Sequence, residues 1–301
     1  MISGTTRIPG YIFVSFAIGI GLFVGIVRSF PDQYAHVIAC DVGQGDAIVL
    51  SYRSSQVLID GGPDSKVLDC LSRHIPFWDR TLEVMILTHP QADHMNGLVD
   101  VLDRFSVEQV IVNGVVNDTA GFRAFQDAVF KEGASIYLPS RGDVIRIGEM
   151  QLSVLWPSSQ VGLAEVWQPE TGGAILGAAT YQGDLNETSI VTRLSYGDFD
   201  ALFVGDMGLS TEEALVASGV LGKVELLKVG HHGSKYASSA EFLDAVGPAL
   251  GVISVGAQNR FGHPTQETLM RLSEVGARIL RTDVSGDVEV DSDGNRYWVV
   301  K

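Results

Sequence analysis

Four short apolar runs in this chain each lead to residues that can hold a metal ion or a proton, and this repetition constrains the fold more than any other feature. Glu83–Leu87 runs into Thr88-His89-Pro90-Gln91-Ala92-Asp93-His94. Phe203-Val204-Gly205 ends in Asp206. Leu226–Val229 runs into Gly230-His231-His232-Gly233-Ser234, and Val252–Val255 leads to Asn259-Arg260-Phe261-Gly262-His263-Pro264. Side chains at the carboxyl ends of neighbouring strands point into one crevice. A single Asp after a strand is usually a turn residue or a helix cap, but four such cases along one sheet edge are poorly explained that way. Imidazole and carboxylate are ordinary ligands for divalent ions. Because Asp93 and His94 are adjacent, an irregular turn is expected to aim both at one point, with Pro90 stopping the strand before it.

The rest of the chain alternates in kind. His36–Cys40, Ala47–Tyr52 and Gln56–Ile59 read as strands, and Val67–His74 suits a helix. A helix is expected from near Asn96 to Phe105, a strand over Gln109–Val112 and a helix over Gly121–Lys131. Three short strands precede Pro157. Strands then return at Ser189–Leu194 and Ala201–Val204, followed by alternating strands and helices and a tail of short strands. Two blocks of strands, each followed by helical segments, give an α/β protein built as a four-layer αββα sandwich; periodicity by itself also allows a doubly wound sheet. Residues 158–183, rich in Gly, Ala and polar residues and free of Lys and Arg, read as a long loop.

The N-terminus differs in composition. Ile8–Val27 carries no charge, and about 20 apolar helical residues span a bilayer core of about 30 Å. The run is long for a signal peptide and lacks a nearby cleavage site, so a retained membrane anchor over residues 1–30 is expected, with a hydrolase domain over 31–301. Arg7 and Arg28 flank the run almost symmetrically. The balance favours an N-terminus inside and an extracytoplasmic domain. Gly21 and Gly25 form a GxxxG, a weak hint of pairing. The net charge of -15 does not attract polyanions through space. Two cysteines, Cys40 and Cys70, are too few for a disulfide scaffold or a zinc knuckle. Buried free thiols are the plainer expectation, and a single bridge stays open if the domain is exported. There is no G-x-S-x-G elbow, no P-loop and no complete dinucleotide fingerprint.

HPQADH at 89–94 resembles the H-x-H-x-D-H motif of the metallo-β-lactamase superfamily. More narrowly, the chain is similar to the hydrolase domain of ComEC DNA-uptake proteins. DVGQGDA at 41–47, LIDGG at 58–62, THPQADHMNGL at 88–98, NETSIV at 186–191, FVGD at 203–206, LKVGHHGSKYASS at 227–239 and SVGAQNRFGHP at 254–264 carry the likeness in order. The resemblance implies the αββα fold and two divalent ions, Mn or Zn. Asp93, His94 and His231 would hold one ion and Asp206 would bridge. His89, Gln91 and Asn186 would hold the other. Gln91 stands where the superfamily has His, and Asn186 where many members have a third His, so the second ion is expected to bind weakly. An oxygen-rich set leans toward Mn or another hard ion as well as Zn. A ComEC channel needs many membrane helices, and this chain offers one.

These residues lead to an expected metal-dependent phosphodiesterase or nuclease acting through a bridging hydroxide. Asp93 and Asp206 would serve catalysis. Lys235, Asn259, Arg260 and His263 would contact substrate, with Lys235 and His263 also taking part in the chemistry, His263 as the acid for the leaving oxygen. Ser234, Ser238 and Ser239 read as helix caps rather than nucleophiles, and Asp41, Asp46 and Asp60 as turn or supporting acids. A small-ester, lactone or thioester hydrolase is the alternative that the acidic charge favours, and a non-catalytic membrane-tethered module is the third.

Overall fold

In β1 (Ala35–Ala39), Ala35, Val37 and Ala39 face one core while Ile38 faces another. The same two-residue alternation sorts every inner strand and fixes the layers. A computed structural model describes residues 31–159 and 183–300, together with Gly21. The chain divides into two units, Met1–Asp32 and Gln33–Lys301, and the second carries the architecture described below. Its elements in order are β1, β2 (Ile48–Tyr52), β3 (Ser55–Ile59), α1 (Lys66–His74), β4 (Thr81–Leu87), α2 (Ala92–Leu102), β5 (Ser106–Val112), α3 (Ala120–Glu132), β6 (Ser135–Tyr137), β7 (Val144–Ile147), β8 (Met150–Trp156), β9 (Val191–Tyr196), β10 (Phe199–Phe203), α4 (Leu209–Ser218), β11 (Leu226–Lys228), α5 (Ala240–Val246), β12 (Leu250–Ile253), α6 (Gln266–Glu274), β13 (Arg278–Arg281), α7 (Thr282–Ser285), β14 (Val288–Ser292) and β15 (Tyr297–Val299).

Eight strands form one sheet in the order β15-β14-β1-β2-β3-β4-β5-β6, and seven form the other in the order β13-β12-β11-β10-β9-β8-β7. Val37, Leu50, Ile59, Phe203, Leu226 and their neighbours fill the space between the sheets. Leu58, Leu71, Leu98 and Phe125 pack α1–α3 onto the first sheet. Leu227, Leu215, Phe242 and Leu272 pack α4–α6 onto the second. The expected αββα sandwich is thus the fold. β3, β4 and β5 run parallel, as do β10, β11 and β12. Their carboxyl ends therefore gather at one edge of the sandwich.

Three local expectations need correction. Asp93 and His94 do not lie in an irregular turn: α2 begins at Ala92, and both residues sit in its first turn. There Asp93 meets the positive end of the helix dipole. Gly97, one turn on, brings α2 against the LIDGG loop. A Cβ there would sit 2.0 Å from the Gly61 carbonyl oxygen, so no larger side chain fits without displacing the helix. Second, α4 was not read from the sequence. Third, Cys40 and Cys70 are bridged, with Cα atoms 5.8 Å apart, rather than two separate buried thiols. The bridge ties the end of β1 to α1. The expected anchor over Ile8–Val27 lies, Gly21 excepted, outside the described residues, as does most of the expected loop over 158–183. Among the described residues no helix is long and apolar enough to cross a membrane.

Candidate metal centre

Side chains from both sheets meet at the shared edge. β3 leads into Asp60, β4 into Thr88 and His89, and α2 supplies Asp93 and His94. β10 leads to Asp206 and β11 to His232. Asp93, His94, Asp206 and His232 each offer a ligand atom within 4.8 Å of the others. His94 Nε2 lies 3.4 Å from Asp206 Oδ2, and His232 Nε2 lies 3.3 Å from the same oxygen and 3.5 Å from Asp93 Oδ2.

The ring orientations follow from the partners of the other nitrogen. His94 Nδ1 donates to Asp60 Oδ2 at 2.8 Å. His232 Nδ1 donates to the Ser254 carbonyl at 3.0 Å. Thr88 Oγ1 gives its single proton to Asp60 Oδ2 at 2.8 Å, so the 3.0 Å contact between Thr88 Oγ1 and His89 Nδ1 has the ring as donor. All three imidazoles then turn Nε2 inward. Such outer partners fix tautomer and aim in metal sites. The inward Nε2 atoms of His89, His94 and His232, Oδ1 of Asp206 and Oδ1 of Asn186 are buried without a hydrogen-bond partner. Buried polar atoms are normally satisfied, so this ring of open donors fits a divalent cation.

Here the sequence-level assignment needs correction. His232, not His231, completes the tight group. His231 Nε2 stands 3.9 Å from Asp206, with 28% of its side chain exposed, against 2% for His232. Both residues adopt left-handed backbone angles, φ 47° and 53°, a conformation uncommon outside Gly and typical of strained functional turns. Two adjacent histidines in such a turn cannot be told apart by periodicity. Of the expected second set, His89 and Asn186 reach the centre with open atoms, and Gln91, at the N-cap of α2, meets His89 through its side chain.

The outer residues divide. His263 packs against His231 with ring centroids 5.6 Å apart. Asn259 is corrected from substrate contact to loop closure. Its amide donates to the carbonyls of Gly256 and His263 at 2.8 Å each, and its oxygen accepts from the amides of Phe261 and His263. Lys235 and Arg260 are exposed, beside the rings of Tyr236 and Phe261. Ser239 caps α5 through Phe242 N, as expected.

Charge in the site is arranged for a cation. Burial opposes charge on His94, but Asp206 and Asp60 outweigh it and raise it well above 6.5. Asp206 and Asp46 do the same for His232. Asp206 itself, despite burial, is held well below 3.8 by His232 and His94. Burial, reinforced by His94, pushes His89 down to about 3, which leaves it neutral. Burial and the neighbouring His231 push His263 down to about 4. His263 is therefore uncharged near pH 7 and carries no imidazolium proton to give as the expected acid.

Two outcomes follow. His232→Ala should weaken divalent-ion binding by more than the roughly 10–100-fold typical of outer-shell losses, while His231→Ala should cost less; chelator competition measures both, and the reverse order would mean the ligand group is wrong. The raised values of His94 and His232 stabilise the ion-free fold fully below pH 6.5, and this contribution is lost as pH rises through their folded values. Metal needs the neutral rings, so its affinity should rise over the same window. Calorimetry in buffers of different ionisation enthalpy should show proton release on metal binding at pH 7. A proton-neutral titration contradicts this.

The comparisons agree with this geometry. The metallo-beta-lactamase superfamily profile matches residues 40–257. The chain belongs to the metallo-β-lactamase superfamily, whose members are mostly metal-dependent hydrolases. It is 29% identical over 274 residues to ComE operon protein 3 of Bacillus subtilis, covering 83% of this chain and 32% of that protein. It is 29% identical over 267 residues to competence protein ComA of Neisseria gonorrhoeae, covering 87% and 33%. Recombination protein 2 of Haemophilus influenzae is 26% identical over 255 residues, covering 83% and 28%. The chain spans about a third of the length of these relatives. Among solved structures, the metallo-beta-lactamase fold protein YhfI of Bacillus subtilis superposes with a TM-score of 0.53 at 11% identity, covering 88% of this chain and 100% of YhfI. CmlA, a diiron β-hydroxylase of Streptomyces venezuelae, gives 0.50 at 13%, covering 89% and 55%. These two likenesses concern the fold.

Proposed function

We propose that the chain is a metal-dependent phosphodiesterase whose substrate is nucleic acid, with two divalent ions, Mn or Zn, the one beside His89 and Asn186 held more weakly. The observation that carries this reading is the ring of buried, unpartnered nitrogens and oxygens contributed by both sheets. A bound divalent ion would supply Lewis acidity toward a phosphoryl oxygen and lower the pKa of an attacking water. The chain's own residues have separate tasks. Asp206 and His232 form the closed floor of the site. Asp93, with 31% of its side chain exposed, is the ligand open to solvent and is placed to take the proton of the attacking water. His263 offers its hydrogen bond at the mouth. Lys235 and Arg260, both exposed, supply positive charge to the phosphate backbone in a chain that otherwise repels it.

The competence and recombination names of the relatives support a nucleic-acid substrate. The apolar run Ile8–Val27 supports a single-pass anchor. The Cys40–Cys70 bridge supports an extracytoplasmic domain, because disulfides persist in oxidising compartments. The net charge of -15 keeps small-ester, lactone or thioester hydrolysis as the second reading. The chain, loaded with Mn²⁺ or Zn²⁺, should cleave linear DNA and bis-p-nitrophenyl phosphate. Cleavage of a p-nitrophenyl carboxylic ester alone overturns the phosphodiesterase reading, and no turnover by folded, metal-loaded protein supports a non-catalytic module.

A further inference from the structure

Lys228 is a charged residue in an apolar place. On β11, Leu227 faces the outer helices, while Leu226 faces the core between the sheets. Alternation puts Lys228 on that inner side, where it is 1% exposed and lines a small cavity of about 10 Å³ with Val37, Ala39, Phe203 and Val252. Its Nζ reaches Asp46 Oδ2 at 2.7 Å and donates to the Val229 carbonyl at 2.9 Å. Asp46 is also 1% exposed, and its other oxygen, Oδ1, lies 3.4 Å from His232 Nδ1.

The main chain of Asp46 is equally placed. Its amide donates to the Asp93 carbonyl at 3.2 Å, and its carbonyl accepts from Gly62 N at 2.7 Å. The approach to Asp93 depends on Gly45, whose Cβ would lie 2.2 Å from the Asp93 carbonyl oxygen and whose φ is +143°. Asp46 thus touches Asp93 on one sheet's side and His232 on the other's, while Lys228 holds it from across the sandwich. A buried ion pair is a poor stabiliser, and well-packed apolar residues of similar size often replace one at no loss. Stability alone does not account for this pair.

We propose that Lys228 and Asp46 are positioning residues that set the His232 ring against Asp93, and that divalent-ion affinity at the Asp93–His94–Asp206–His232 group depends on them. This rests on the metal reading of that group. The single His232 Nδ1–H goes to the Ser254 carbonyl, and the Asp46 carboxylate stands 3.4 Å from the same nitrogen as a fixed negative charge that favours this orientation of the ring.

The test uses two charge-free double variants of the full chain, Lys228→Met/Asp46→Leu and Lys228→Met/Asp46→Asn, beside the wild type. Thermal stability, Mn²⁺ and Zn²⁺ affinity by chelator competition, and the visible spectrum of the Co²⁺-loaded protein are read for each. The Leu double variant should keep the wild-type melting temperature, bind metal about 10–100-fold more weakly and show a shifted Co²⁺ spectrum. The Asn variant, which retains an acceptor facing His232, should recover affinity toward the wild type. A purely structural pair predicts wild-type affinity and spectrum in any double variant that folds, and that result in the Leu variant overturns the proposal, as does an Asn variant that binds no better than the Leu variant. Unfolding of both double variants likewise overturns it, since the pair would then be needed for the fold itself. Wild-type protein that binds neither ion overturns instead the metal reading beneath it.

Discussion

Asp206→Asn should leave a folded protein that neither retains divalent ions nor hydrolyses any substrate. Asp206 is the residue on which the centre converges: both His94 and His232 lie within 3.4 Å of its Oδ2, and Oδ1 remains open. The amide keeps the shape but removes the charge that holds two raised imidazoles and, when present, the metal. Outer-shell losses at metal sites cost about 10–100-fold, so removal of this carboxylate should exceed that in affinity and in kcat/KM. Asp206→Ala adds a stability penalty of about 3–5 kcal/mol, because it leaves His94 and His232 buried without their shared counter-charge. Metal content after gel filtration and the rate with bis-p-nitrophenyl phosphate decide the matter. A variant that keeps both would place the centre elsewhere.

The second large effect concerns the disulfide. Cys40 and Cys70 are both fully buried and lie 30 residues apart in sequence. On the chain-entropy account, closing a loop of that length stabilises the fold by about 3–4 kcal/mol. For a domain of this size that corresponds to about 10 °C in Tm. Cys40→Ser/Cys70→Ser should therefore melt about that much earlier, as should the wild type in excess reductant. The loss bears on the site as well, because Cys40 precedes the loop that carries Asp46, and Cys40 N bonds Ala47 O at 2.9 Å across that loop. Equal melting temperatures with and without reductant would show that the bridge contributes nothing.

Much of this molecule is legible in its sequence, for a physical reason. Inner strands such as Ile48–Tyr52 and Thr81–Leu87 are buried on both faces, so they read as apolar runs with clear ends. The ligand-bearing residues at those ends, His89, Asp93, His94 and Asp206, stand out because polar residues interrupt the runs there. What escaped has equally physical causes. The buried residues of α4 are Thr211, Glu212 and Leu215, so it shows no apolar stripe. Glu212 is spent on the amides of Ser238 and Ser239 instead. The choice between His231 and His232 is made by a left-handed turn that no periodicity describes. The role of Asn259 is hidden because a loop-closing amide and a substrate-binding amide look alike in sequence.

The centre takes Asp93 and His94 from the helix that packs on one sheet, and Asp206 and His232 from the strand ends of the other. An ion bound there would be a ligand for the folded chain alone, because unfolding separates the four donors. Occupancy and folding then belong to one equilibrium: each tenfold excess of free ion over its dissociation constant adds about 1.4 kcal/mol to the native state. A chelator would therefore do more than stop turnover. It would lower the barrier that keeps the two halves of the sandwich closed to proteases, so the lifetime of the protein would track the supply of its metal.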